Sequence, residues 1–298
     1  MIFSAELLVQ TLISGVMIGV LYALMALGIT FIYSIMRMIN WAMGEFYMIG
    51  SYLQFMLVVG VLGIDLWWIA ILLSAAGVFL LGMLVQTTLL KPVAAKLVER
   101  PDEYATVVTL ALLLMLRSLA TGIAGPYQFN PGSNLATVMV GPLPIAGARM
   151  AAFVFALAAL ALFYVVLRYT WYGLALRAAA QSRVGILTAG IDALGVDRLA
   201  FGIGVALAGL AGALLAPVFL VYPTNGLVTT MKGFEIVVIG GLGSIPGALI
   251  AGVVLGVVES CGAAFISSAY QNVYGFAVVL AILALRPNGL FGERSREA

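Results

Sequence analysis

The chain has 298 residues, 64% of them hydrophobic and 9% charged, with a formal net charge of +2. Soluble domains carry about 25% charged residues, and a water-soluble fold of this length could not hide so much apolar surface. A polytopic membrane protein is expected. The chain has no histidine and a single cysteine, Cys261, which excludes Ser-His dyads, His metal sites, His proton relays, Cys-cluster metal sites and an internal disulfide.

A helix needs about 20 apolar residues to span a bilayer. Hydropathy over that length predicts segments at roughly 7–36, 44–62, 66–90, 104–123, 149–168, 199–221, 227–243, 244–264 and 270–287. The expected fold is all-α and polytopic, with about eight to nine transmembrane helices in a single membrane domain over residues 1–298. No Lys or Arg precedes the first apolar run, which carries Glu6, so that run reads as a retained helix rather than a cleavable signal. The stretch "RMINWAMGE", Arg37 to Glu45, separates the first two segments. Arg37 reads as a boundary anchor and Asn40 as a cap for the short link. Glu45 falls in the first turn of the second segment, where the positive helix end favours a carboxylate.

The pair over 227–264 reads as one short or discontinuous helix followed by a full one. The first member holds Lys232 and Glu235 and ends in "GGLGSIPG", where glycines and Pro246 break the helix. Short, Gly/Pro-interrupted segments in both halves of a membrane chain point to a transport pathway. On that basis Asn40, Gly44, Glu45 and Tyr47 at the first break, and Gly240, Gly241, Gly243 and Ser244 at the second, are candidate pathway residues lying opposite one another.

Lys and Arg cluster in alternate loops. Lys91, Lys96 and Arg100 share one, Arg168, Arg177, Arg183 and Arg198 lie in or beside another, and Arg286, Arg294 and Arg296 mark the C-terminal tail. Positive residues favour the cytoplasmic side. This places the N-terminus outside and the C-terminus inside, and requires 227–264 to cross twice. Asp192 and Asp197 then fall in the cytoplasmic loop.

Charges inside spanning segments cost about 2.5–3.5 kcal/mol each on insertion scales and generally face protein or a cavity. Arg117 is expected to pair with a carboxylate elsewhere in the bundle. Lys232 and Glu235, three residues apart, are expected to pair near the outer boundary, and Glu259 to reach water at an outer helix end. Gly15/Gly19, Gly243/Gly247 and Gly252/Gly256 form GxxxG spacings, and Gly204, Ala208 and Gly212 stack on one face. Small residues at this spacing let helices pack closely in lipid. The chain has no GxxxxGK[ST] motif, so any ATP consumed is bound by another chain.

Three strings in register carry a resemblance: "GVLYALMALGITFIYSIMRMINWAMGEFYMIGSYL", "YGLALRAAAQSRVGILTAGID" and "VVIGGLGSIPGALIAGVVLGVVES". Together they resemble the permease subunits of branched-chain amino acid (LIV-type) ABC importers, specifically the shorter of the two homologous permeases, over residues 10 to 290. The resemblance implies a multi-pass protein of the bacterial inner membrane that translocates branched-chain or related amino acids. It is not itself an enzyme and binds no cofactor. ATP and Mg²⁺ bind on two cytoplasmic ATPase subunits, a second homologous permease completes the membrane part, and a periplasmic binding protein delivers substrate. Surrounding lipid, and no nucleic acid, completes the list of partners. Loop 169–198 is then the coupling element, with a helix over 176–192 docking on an ATPase through Arg177, Gln181, Ser182, Arg183 and Asp192. The chain departs from the family pattern at Met43, where His is frequent, and at Asp197-Arg198, which lies beyond the usual basic position. Urea, short amides and aromatic or other organic acids are alternative substrates. A stand-alone secondary transporter or channel is the competing class, and it leaves the long inner loop unexplained.

Overall fold

The structure is a computed structural model, and it describes residues 5–94, 98–132, 134–140 and 143–292. Lys96, Arg294 and Arg296, three of the charges used for orientation, lie outside the described residues.

The chain folds as α1 (Ala5–Met36), α2 (Met43–Leu57), α3 (Trp67–Val85), a short α4 (Lys91–Ala94), α5 (Pro101–Ala124), α6 (Gly147–Tyr169), α7 (Trp171–Gln181), α8 (Arg183–Thr188), α9 (Ala193–Leu215), α10 (Asn225–Gly240), α11 (Ile245–Phe265) and α12 (Gln271–Leu285). Between α5 and α6 the strands β1 (Val138–Val140) and β2 (Leu143–Ile145) form a small antiparallel hairpin, which hydropathy does not signal. Among the described residues eight helices are long and apolar enough to cross a membrane. The protein is therefore all-α and polytopic. The expected pair over 227–264 is present as the 16-residue α10 and the 21-residue α11. α10 spans roughly 24 Å at about 1.5 Å per residue, short of a full hydrocarbon core of about 30 Å. It starts inside the bundle, with Asn225 and Gly226 buried against α2. The segment before it pairs with the α5–α6 connection through a Phe129–Val221 bridge. Its last turn receives Leu290 N and Phe291 N on the carbonyls of Ile239 and Gly240.

Local chemistry sets several helix boundaries. Thr170, Ser182, Asp192 and Ser244 are N-caps, accepting from the backbone N–H of Gly173, Gly185, Leu194 and Gly247 at 3.0–3.1 Å. Such caps contribute about 1 kcal/mol each. α9 begins at Ala193, six residues before the expected 199. Asp192 is therefore a cap rather than a free loop carboxylate. Asp197 lies in the second turn of α9, buried and ion-paired with Arg183. The expected 176–192 helix is instead two short helices, because Ser182 ends α7 and starts α8.

α9 is the central strut, its small residues facing three neighbours. Gly204 lies against Gly28 and Ile32 of α1, Gly209 against Val78 of α3 and Gly50 of α2, and Gly212 against Tyr47 and Ser51 of α2. The most extensive interface joins α1 to α11. There the two GxxxG motifs pack on each other, Gly15 and Gly19 against the backbone of residues 252–257. The third motif does not work this way: Gly243 sits at φ 84° in the α10–α11 turn, off the helix. Lipid provides no hydrophobic drive for helix association, so backbone proximity and dispersion must supply it. Gly256→Val would push a branched side chain into the Gly15–Gly19 backbone. It is expected to cost roughly 2–3 kcal/mol by overpacking and to lower the thermal unfolding midpoint in detergent. Gly60→Ala, where no atom lies within 4 Å of the added methyl, is expected to stay within about 0.5 kcal/mol.

Candidate translocation and coupling sites

Residues 37–42 connect α1 to α2 without leaving the bundle. α1 ends at Arg37, which adopts φ 55°, a left-handed conformation that usually falls to glycine at a helix end. Arg37 is exposed, consistent with a boundary position. The chain then folds back, so that Met43 reaches Gly28 near the middle of the core. Asn40 Oδ1 accepts from Ala42 N at 2.9 Å, tightening this link as an Asx turn rather than capping α2 directly. Ala42, the residue preceding α2, provides no side-chain cap. The cap comes from another helix: Thr230 Oγ1 of α10 accepts from Gly44 N at 3.1 Å and donates to Gly226 O at 2.8 Å. A Cβ at Gly44 would overlap Gly226 O and Thr230 Oγ1, so only glycine allows α2 and α10 to approach this closely.

Glu45 is fully buried and pairs through Oε1 with Arg117 Nη2 of α5 at 3.1 Å. The carboxylate expected for Arg117 is thus the one at the first helix break. Glu45 Oε2 accepts no hydrogen bond from the described residues and faces Gly226, whose Cβ would stand 2.9 Å from it. Tyr47 is buried two residues further along and interacts with Thr229 of α10. Asn225, the first residue of α10, donates from Nδ2 to Ser51 Oγ at 3.3 Å, while its Oδ1 accepts nothing.

The second break lies elsewhere. Gly240 packs on Gly247, Gly241 and Gly243 take φ 96° and 84°, and Ser244 caps α11. This turn sits against residues 288–292. It forms the far end of α10, about 22 Å of helix from Asn225 at about 1.5 Å per residue. The structure therefore brings Gly44, Glu45 and Tyr47 together with the first half of α10, not with the "GGLGS" turn, while Asn40 bonds only within the α1–α2 link among the described residues. Thr230, Asn225 and Gly226 escaped the sequence reading. The "PTNG" turn signal before α10 was the available clue, but nothing in it names α2 as the partner.

The charges of the C-terminal half also depart from expectation. Lys232 pairs with Glu259 of α11 and lies 3.6 Å from Glu235, with all three buried. Gln271 Nε2 of α12 approaches Glu259 Oε2 at 3.4 Å. Glu259 therefore does not reach water, and the expected Lys232–Glu235 pair is present but buried and shared with Glu259 rather than placed at the boundary. The three charges pin α10, α11 and α12 together inside the bundle.

At the other candidate surface, Arg177 and Gln181 are exposed on α7. Ser182 and Asp192 are committed as caps and Arg183 to Asp197. Around them Trp171, Tyr172, Leu174, Val184 and Leu187 are exposed, Trp171 at 69%. A groove of about 400 Å³ runs between α7 and the start of α9, lined among others by Trp171, Tyr172, Ile191 and Arg198.

A family model described as "Branched-chain amino acid transport system / permease component" matches residues 11–285. The chain belongs to this permease family. It is 32% identical over 95% of both chains to the high-affinity branched-chain amino acid transport system permease protein LivH of Salmonella typhimurium. It is 31% identical over the same coverage to LivH of Escherichia coli K12, and 30% identical over 95% of both chains to BraD of Pseudomonas aeruginosa. No solved structure matches the chain. With eight spanning helices, this permease is a multi-pass membrane protein whose family role is transport rather than catalysis.

The permease's buried charges make a direct test. Removing one member of a buried ion pair costs about 3–5 kcal/mol because the other charge is left uncompensated. Lys232→Met strands two carboxylates and should sharply lower folded yield and the unfolding midpoint in detergent. Glu235→Gln leaves the Lys232–Glu259 pair and should cost under about 1 kcal/mol.

Proposed function

We propose that this permease is one membrane subunit of an ATP-driven importer that carries branched-chain amino acids across the bacterial inner membrane. The observation that carries the proposal is end-to-end similarity to permeases of high-affinity branched-chain amino acid transport systems. In this reading the N-terminus is periplasmic and the basic loops face the cytoplasm. Two ATPase subunits bind ATP and Mg²⁺, a second homologous permease completes the membrane part, and a periplasmic binding protein delivers substrate. The α7–α8 segment is the ATPase contact. Its exposed aromatic and aliphatic side chains form an apolar surface next to Arg177 and Gln181, the composition of a docking site rather than of a solvated loop. Because Ser182, Arg183 and Asp192 shape this segment from within, their role in coupling is to hold its form. Substrate passes beside the α1–α2 link and the start of α10, where helical backbone is interrupted inside the bundle. Non-helical backbone at that depth is tolerated against protein or a water-filled cavity.

Co-expression of the tagged permease with its ATPase subunits tests this reading. The expected result is co-purification from mild detergent that is lost when residues 176–192 are scrambled, and proteoliposome uptake of leucine, isoleucine and valine once the binding protein is added. Retained co-purification after scrambling would move the contact elsewhere. Uptake of urea or short amides in preference to leucine would reassign the substrate.

A second, finer outcome follows from the surface itself. Val184→Glu and Leu187→Glu place charges on an apolar contact without touching a cap or the Arg183–Asp197 pair. Each is expected to weaken ATPase co-purification at least tenfold while leaving the folded yield of the permease unchanged.

A further inference from the structure

Two helices begin inside the bundle, and they begin beside each other. Asn225 at the start of α10 lies against Ser51, Gly226 against Gly44 and Glu45, and Thr230 against Gly44. At this junction two acceptors stand without donors among the described residues: Glu45 Oε2 and Asn225 Oδ1. Both side chains are more than nine-tenths buried, Glu45 at 0% exposure and Asn225 at 7%. Both flank the same backbone position: Glu45 Oε2 would lie 2.9 Å from a Cβ on Gly226, and Asn225 is the residue before it. The capacity left over beside Gly226 is thus acceptor, half of it on a carboxylate, while the unpartnered donors Asn40 Nδ2 and Arg117 Nε belong to the α1–α2 link and to α5.

Buried polar groups are rarely left unsatisfied, because each loses its hydration without replacement and a charged one loses most. Arg117 compensates part of the Glu45 charge, yet it engages only Oε1. The N-terminus of α10 has no side-chain cap from Thr224, and its first-turn N–H groups favour anions. The junction therefore presents acceptors for a small cation with several N–H groups, immediately beside an uncapped helix end suited to a carboxylate. An α-amino acid zwitterion carries those two groups on one carbon.

We infer that Glu45 Oε2 and Asn225 Oδ1 form a transient site for the α-ammonium group of the transported amino acid, with its carboxylate directed to the first turn of α10. This inference rests on the proposed amino acid import. The described conformation is the shut state of the site, since Gly44 and Gly226 touch through their backbones. Substrate gains access when α10 separates from α2. The two glycines allow the closed state, and Thr230, which bridges both helices, is the hydrogen bond that must yield.

The test uses the assembled importer in proteoliposomes with saturating binding protein, and reads maximal leucine uptake per mole of assembled complex. The charge-balanced double variant Glu45→Gln/Arg117→Gln removes the negative charge that would hold the ammonium group without leaving Arg117 unpaired. Asn225→Leu removes the second acceptor and leaves the ion pair intact. Each is expected to lower uptake at least tenfold. Uptake by the double variant within twofold of wild type would overturn the site, because it would show that Glu45 serves only to balance Arg117. Uptake by Asn225→Leu within twofold of wild type would equally overturn the shared site. Failure of the proposed function reads differently: a wild-type complex that assembles but takes up no branched-chain amino acid would overturn that reading, and this site with it.

Discussion

Backbone N–H groups that start a helix inside a bilayer have no water to bind. α2 and α10 both start inside the bundle, and α2 answers the constraint with α10. Gly44 N is capped by Thr230 of α10, and the contact is possible because Gly44 and Gly226 carry no side chains to keep the helices apart. Once the two helix starts are locked together, the neighbouring positions are determined. Glu45 faces both α10 and Arg117 of α5, Asn225 reaches Ser51, and the α1–α2 link is folded back under Met43 beside Gly28. This polar junction is thus also a tight backbone contact.

The rest of the bundle secures this junction by two different means. Small residues join α1 to α11 and α9 to α1, α2 and α3, which gives dispersion contacts without requiring hydrophobic drive. Charge joins α10, α11 and α12 through Lys232, Glu235 and Glu259. α10 takes part in both the polar junction and the charged cluster, one at each half of its length. A movement of α10 away from α2 must therefore either carry α11 and α12 with it or strain three buried charges. Rigid-body motion of these helices as a unit is the cheaper course.

The proposed coupling surface and the proposed pathway differ in what holds them. The α7–α8 segment is shaped by caps and by Arg183–Asp197, all local interactions within about fifteen residues of sequence, and leaves aromatic side chains bare. The pathway junction is held by contacts between residues 44–51 and 225–230, far apart in the chain. A surface that must receive a partner benefits from a self-sufficient local fold. A site that must open benefits from contacts between separate elements, which can part without unfolding either one.

The apolar run lengths made the membrane class, the helix count and the short-then-long pair over 227–264 legible in the sequence, because the bilayer thickness acts on consecutive residues. GxxxG spacing similarly announced close packing, though not that Gly15 and Gly19 would meet Gly252 and Gly256 in particular. Arg117 was legible as a charge needing a carboxylate, since burial alone demands one. Which carboxylate it was, the pairing of Glu259 with Lys232, the capping of Gly44 by Thr230 and the separation of the "GGLGS" turn from Glu45 were decided only in the tertiary structure. Each depends on residues more than twenty positions apart, or on the direction in which a 16-residue helix runs, and hydropathy and spacing carry no record of which helix faces which.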